Sequence, residues 1–182
     1  MDTPEWIDDL RAGLAEPLPP TGWPAVAAAL TFPLLIALGR TEDGWMPFLD
    51  GINLLFHEAG HPIFGLFGWE TLAILGGTLM QVLVPLLVAA NFRWRRHPLG
   101  LALGLQWAAQ NLLNIARYLA DARAQVLPLV GGGEHDWGTL LGQWHLLARD
   151  TVLASRVAAC GWIGLFLPVL WLAWRAGRRV GA

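Results

Sequence analysis

The chain has 182 residues, 55% of them hydrophobic and only 14% charged, with a mean hydropathy of +0.46. A net charge of -2 gives no basic surface for nucleic acid, and a lone cysteine, Cys160, excludes an intrachain disulfide or a Cys-built zinc site. Several separated apolar runs of about 20 residues instead predict an all-α, polytopic integral membrane protein made of one domain over 1–182.

Residues 1–22 are acidic and proline-rich, with Asp2, Glu5, Asp8, Asp9 and Glu16. They lack the basic start of a secretory signal, so the first apolar segment is expected to be retained. Five spans follow: Pro24 to Gly39, Met46 to Phe67, Leu72 to Phe92, Leu99 to Ala120 and Val152 to Trp174. All twelve basic residues are arginine. Arg93, Arg95 and Arg96 follow the third span, and a basic tail over 175–182 carries Arg175, Arg178 and Arg179. Positive charge favours the cytoplasmic side. Five crossings then put both clusters and Arg40 inside a bacterial inner membrane, with the N-terminus and the 121–151 loop outside. Trp23, Trp45, Trp69, Trp94, Trp171 and Trp174 fall near span ends, as an interfacial belt requires. Within the loop, Trp137 to Arg149 is expected to form a short interfacial helix with Leu140, Leu141, Trp144 and Leu147 toward the membrane.

The second span carries His57-Glu58-Ala59-Gly60-His61. On a helix the two histidines sit one turn apart on one face, where both imidazoles can bind one metal ion, with Glu58 beside them as a base for water. Ionisable groups at membrane depth cost about 2.5–3.5 kcal/mol each, so three in one turn point to zinc binding. Asp50 and Asn53 extend the polar stripe backwards, and Asn53 is placed to accept the second ring N–H of a metal-bound histidine. Gly60 and Gly65 permit close approach by a neighbouring helix, and Gly76 and Gly77 suit such a contact.

A catalytic zinc has three protein ligands and an open position. His135, in the loop stretch Gly131 to Trp137, is the leading third ligand, because flexible glycines let it or Asp136 fold inward. Asp121, at the end of the fourth span, is the alternative, although an i, i+4 ion pair with Arg117 competes for it. Gln106, Gln110, Asn114, Arg117 and Asp121 form a second stripe, with Asn111 beside them, and it should face the first. Asn111 or Asn114 is placed to hold the substrate backbone or an oxyanion, and Gln81 to line the cavity.

The motif in a spanning helix resembles the intramembrane metalloproteases of the site-2 protease class. Gly76-Gly77 and Gln81 before Pro85 are similar to that family's glycine-and-amide packing helix, and Asn111-Leu112-Leu113-Asn114 followed by Asp121 resembles its Asn-Leu-Leu-Pro stretch. The resemblance covers roughly 46–122. It implies zinc on His57, His61 and Asp121, with Glu58 activating water, and cleavage of transmembrane or juxtamembrane protein segments. Two other readings stand beside it: a non-catalytic accessory or assembly subunit of a larger membrane complex, and a zinc hydrolase acting on a lipid or small molecule.

Overall fold

The computed structural model describes residues 4–130 and 133–180. Among them there is no strand. Seven α-helices follow one another: α1 (Glu5–Ala15), α2 (Trp23–Gly39), α3 (Leu49–Gly65), α4 (Glu70–Trp94), α5 (Pro98–Ala120), α6 (Asp136–Gln143) and α7 (Asp150–Val180). The central helix is α5, with α7 on one side and α4 on the other; α3 covers α4, and α2 lies against α7 and α5. Small residues set these spacings. A Cβ on Gly104 would fall 2.8 Å from the Ala89 backbone, and one on Gly164 would fall 2.8 Å from Ala109. Gly60 of α3 meets the backbone of Gly76 in α4. Gly65 has more room, with Ala73 at 3.7 Å.

The N-terminal segment is held at the end of the bundle where α4 and α7 finish. Arg93 donates to the carbonyls of Gly13, Leu14 and Glu16, and Arg96 pairs with Glu16 at 2.6 Å. Arg175 donates to the carbonyls of Leu18 and Pro19. Prolines at 17, 19 and 20 forbid a helix there and leave carbonyls free for the guanidinium forks. The described N-terminal segment and the end of α7 therefore lie at one end of the bundle, whereas an odd number of crossings would place them at opposite ends. The helix α1 was not anticipated.

From that end α2 runs parallel to α5. Val26 packs with Ala102, the Ala29 carbonyl accepts from Gln106 at 2.9 Å, and Ile36 packs with Ala109 and Leu113. At the far end Asp43 pairs with Arg117, which puts Arg40 and its loop away from the arginine clusters. The chain then doubles back. Met46 and Leu49 return to the Ile36 cluster, and Phe48 takes φ 68° and ψ -56° while Leu49 N donates to Pro47 O at 2.9 Å. This is a γ-turn, a strained conformation for a residue with a side chain. It aims α3 back toward the far end, antiparallel to α4.

The second expected span is thus a returning segment followed by a helix of 17 residues, about 26 Å long, that starts partway into the bundle. Two helical stretches are long and apolar enough to cross a membrane, Glu70–Trp94 and Leu147–Arg178, while α2 is apolar but shorter. The five-span expectation counted α3 and α5 on their apolar majority. Their buried amides and acids lower the hydropathy of both.

The interfacial helix is also revised. It stops at Gln143, His145 takes φ 56°, and a 3-10 turn over Leu147–Arg149 leads into α7. Leu140 and Leu141 are buried, and Leu141 packs with Leu119, Ala122 and Ala154. Burial between α5 and α7 satisfies Leu141 without any lipid.

Candidate metal centre

The polar stripes of α3 and α5 do face each other. Gln110 donates to the buried Asp50 carboxylate at 2.5 Å and accepts from Asn53 at 2.7 Å; Trp107 donates to Asn53 Oδ1 at 2.8 Å, and Asn111 reaches the same oxygen at 3.3 Å. Buried polar groups without partners cost about 1–3 kcal/mol each, so this network fixes α3 on α5. It occupies Asn53 and the Asn111 amide nitrogen, while Asn111 Oδ1 is buried without a partner. The hydrogen bonds of both side chains run to α3 and α5 partners and not to the histidine rings. Gln106 turns the other way, to the carbonyls of Ala29 and Leu165.

Farther along α3, the two motif histidines point at α4 and α6. His57 Nδ1 lies 2.9 Å from Gln81 Oε1, and His61 Nδ1 lies 3.0 Å from the Ala73 carbonyl. Their other nitrogens converge on one carboxylate oxygen: Asp136 Oδ2 is 2.9 Å from His57 Nε2 and 3.4 Å from His61 Nε2. Gly77 makes room for both rings. A Cβ there would fall 2.6 Å from His57 Nε2 and 2.7 Å from His61 Nε2. The three ligand atoms lie within 4.8 Å of one another and could hold a metal ion.

A carbonyl only accepts, so Nδ1 of His61 is the donor to Ala73 and Nε2 is the nitrogen turned to the Asp136 carboxylate. A proton or a metal ion between the two would satisfy both. The oxygen acceptors behind both rings are the arrangement by which proteins orient metal-bound histidines.

Asp136 takes the position expected of His135, for a local reason. His135 is the N-cap of α6: its Nδ1 accepts from Gly138 N at 3.1 Å, and its ring stacks on Tyr118 with centroids 4.1 Å apart. Its Nε2 lies 3.5 Å from Asp121 Oδ2, too long for a good hydrogen bond. Burial pushes the His135 pKa down, against the pull of Asp121 and Asp136. The next residue, Asp136, begins the helix and leaves on the side of the motif. Asp121 is not at the site either. Its two oxygens accept from Val126 N at 3.0 Å and Leu127 N at 3.1 Å, closing the turn after α5. Arg117, expected beside Asp121, pairs with Asp43 instead, and the Thr41 hydroxyl and Arg117 lower the Asp43 pKa to about 2. Gly131 and Gly132, expected as the hinge of this loop, lie outside the described residues.

The histidines, Glu58 and Asp136 line a cavity of about 870 Å³, which Gln81, Asn114 and Tyr118 also reach. Leu127, Pro128, Leu129 and Val130 give it an apolar wall. Sequence reasoning missed Tyr118 and the Ala73 carbonyl. A carbonyl leaves no mark in a sequence, whereas Tyr118 stands one turn from Asn114 on the stripe that was noticed. No protein-family model, characterised protein or solved structure matches this chain.

Proposed function

We propose that this protein is a membrane-embedded zinc metallopeptidase of the site-2 protease kind, cleaving transmembrane or juxtamembrane segments of other proteins. The observation that carries this reading is the convergence of His57 Nε2 and His61 Nε2 on Asp136 Oδ2, beside Glu58 in an open cavity. Ligands about 2.0–2.1 Å from a tetrahedral zinc stand roughly 3.4 Å apart, and the separations of 2.9 and 3.4 Å are close to that. Two imidazoles and one carboxylate suit zinc, and three ligands leave a position open. Zinc there would polarise a peptide carbonyl and ease the deprotonation of water.

The protein's own groups supply the remainder. Glu58 takes a proton from the attacking water and returns it to the leaving amine. Gln81 and the Ala73 carbonyl fix the tautomers, and Asn114 is free to bind substrate backbone. The apolar wall at Leu127–Val130 accepts the side chains of an unwound membrane segment.

Membrane insertion is supported by what the outer faces present. Leu83, Leu86 and Leu87 of α4, Ile163, Leu167 and Leu170 of α7, and Leu34, Leu35 and Leu38 of α2 are all exposed. Such continuous apolar surface suits lipid rather than water. The proposed topology has four crossings, by α2, α4, α5 and α7. Between them α3 and its returning segment re-enter from the far side, with Met46 and Leu49 packed against the Ile36 cluster. Arg11, the three arginines at 93, 95 and 96, and the three at 175, 178 and 179 share one end, which the positive-inside rule makes cytoplasmic. The site then opens toward the outside.

The test is direct. Wild-type protein in mild detergent is expected to bind one zinc per chain and to cleave a reporter peptide containing an apolar spanning segment. Glu58→Gln is expected to keep the zinc and lose at least about 100-fold in kcat. Equal cleavage by Glu58→Gln would end the peptidase reading.

A further inference from the structure

The cavity poses an electrostatic problem for peptide hydrolysis. The carbonyl oxygen gains negative charge in the transition state and needs donors aimed at it. Yet the charged cavity lining is mostly acidic, with Glu58, Glu70, Glu134 and Asp136. Its one arginine, Arg117, is tied to Asp43. No free guanidinium among the described lining residues can serve, so any second electrophile beside the metal would have to be a neutral donor.

Tyr118 is placed to offer one. It stands in the last turn of α5, and its ring is held from two sides. It stacks on His135 at 4.1 Å and 29°, and meets the His57 ring edge-on at 5.9 Å and 77°. A phenol both accepts and donates. The accepting side is engaged, because Asp136 N donates to the Tyr118 oxygen at 3.1 Å. No described residue accepts the phenolic hydrogen. The group is thus anchored to the backbone of the residue that supplies the carboxylate ligand, with its donor free in the cavity beside His57.

We infer that the Tyr118 hydroxyl donates a hydrogen bond to the scissile carbonyl oxygen as that oxygen takes up negative charge, which makes Tyr118 a catalytic residue. This rests on the peptidase reading above. The donor is placed before the substrate arrives: the two ring contacts and the Asp136 amide fix it, so little reorganisation is needed as charge develops.

Tyr118 is the single tyrosine of the chain, so 3-fluorotyrosine supplied during expression labels this position alone. The probe is a phosphinic pseudopeptide whose tetrahedral group replaces the scissile amide of an apolar reporter peptide. Tyr118→Phe is expected to keep wild-type zinc content, to bind the phosphinate about 100-fold more weakly, and to lose a similar factor in kcat with KM unchanged. Binding of the unmodified peptide to a Glu58→Gln, Tyr118→Phe double variant should match that of Glu58→Gln alone. The fluorine resonance should move on binding phosphinate and stay in place on binding peptide to Glu58→Gln. Undiminished phosphinate affinity in Tyr118→Phe overturns the inference. So does zinc loss in Tyr118→Phe together with an unmoved fluorine resonance in the labelled wild type, because the phenol would then only support Asp136. Transfer of the phosphinate preference to Asn114, seen as its loss in Asn114→Leu alone, overturns it as well. A wild type that neither cleaves peptide nor binds phosphinate fails the peptidase reading itself, whereas cleavage that survives Tyr118→Phe intact fails this inference alone.

Discussion

Gly77 contributes an absence of atoms, and the convergence of the two histidines on Asp136 depends on it. A methyl group at that position would press on both Nε2 atoms, in the space their lone pairs point into. Gly77→Ala is therefore expected to purify as a folded protein with far less than one zinc per chain by elemental analysis. Gly51→Ala is the control, because nothing lies within 4 Å of a Cβ there. Gln81 acts through His57. Its amide oxygen orients the ring, and Gln81→Leu should weaken zinc binding by about 10–100-fold in competition with a chromophoric chelator. The same assay separates the neighbours in the loop: Asp136→Asn should lose most of the affinity, while His135→Asn, which can still cap α6, should keep it.

At the scale of elements, the site depends on how α3 and α6 are seated. The α3 helix is pinned by Asp50 and Asn53 to Gln110 and Trp107. Asn53→Leu orphans the Trp107 indole N–H and one Gln110 oxygen, at about 1–3 kcal/mol per group. The expected result is a clear fall in the thermal midpoint in detergent, with loss of zinc at the transition. The cap of α6 makes its seating dependent on pH. Burial lowers the folded-state pKa of His135 below the ordinary histidine value of 6.5. Between the two values the unfolded form binds more protons, so the stabilising effect is complete above 6.5 and is lost as pH falls through the folded value. Amide exchange over residues 133–141, corrected for its intrinsic pH dependence, should accelerate below that point in metal-free protein. His135→Asn should flatten the added dependence.

For the whole molecule, the arginine-bound N-terminal segment supports the proposed four-crossing topology. Four crossings put both chain ends on one side, whereas five would separate them. Fluorescent-protein fusions at each end are expected to be bright in the cytoplasm, and a cysteine at Glu42, in a Cys160→Ser background, should react with an impermeant reagent added outside. A dark N-terminal fusion that is exported intact would restore the five-crossing arrangement. In the proposed topology the γ-turn at Phe48 has a reason: a chain that has crossed in α2 must reverse before α3 can carry its motif back toward the outer end.

The sequence by itself determined what depends on spacing along one helix. His57, Glu58 and His61 share a face because of the 3.6-residue period, and the glycines at 60 and 76 mark the α3–α4 contact by the same logic. It also supplied the all-helical character and the two membrane-length apolar helices. Only the tertiary structure decided which carboxylate meets the histidines, since Asp121, His135 and Asp136 differ in how a turn and a helix cap use them. The direction of α3 was likewise hidden. An apolar run of span length reads the same whether it crosses or returns, and the difference lies in where Asp43, Asp50 and Asn53 find partners 50 to 75 residues away. Hydrogen bonds between distant elements carry no period that a sequence can show.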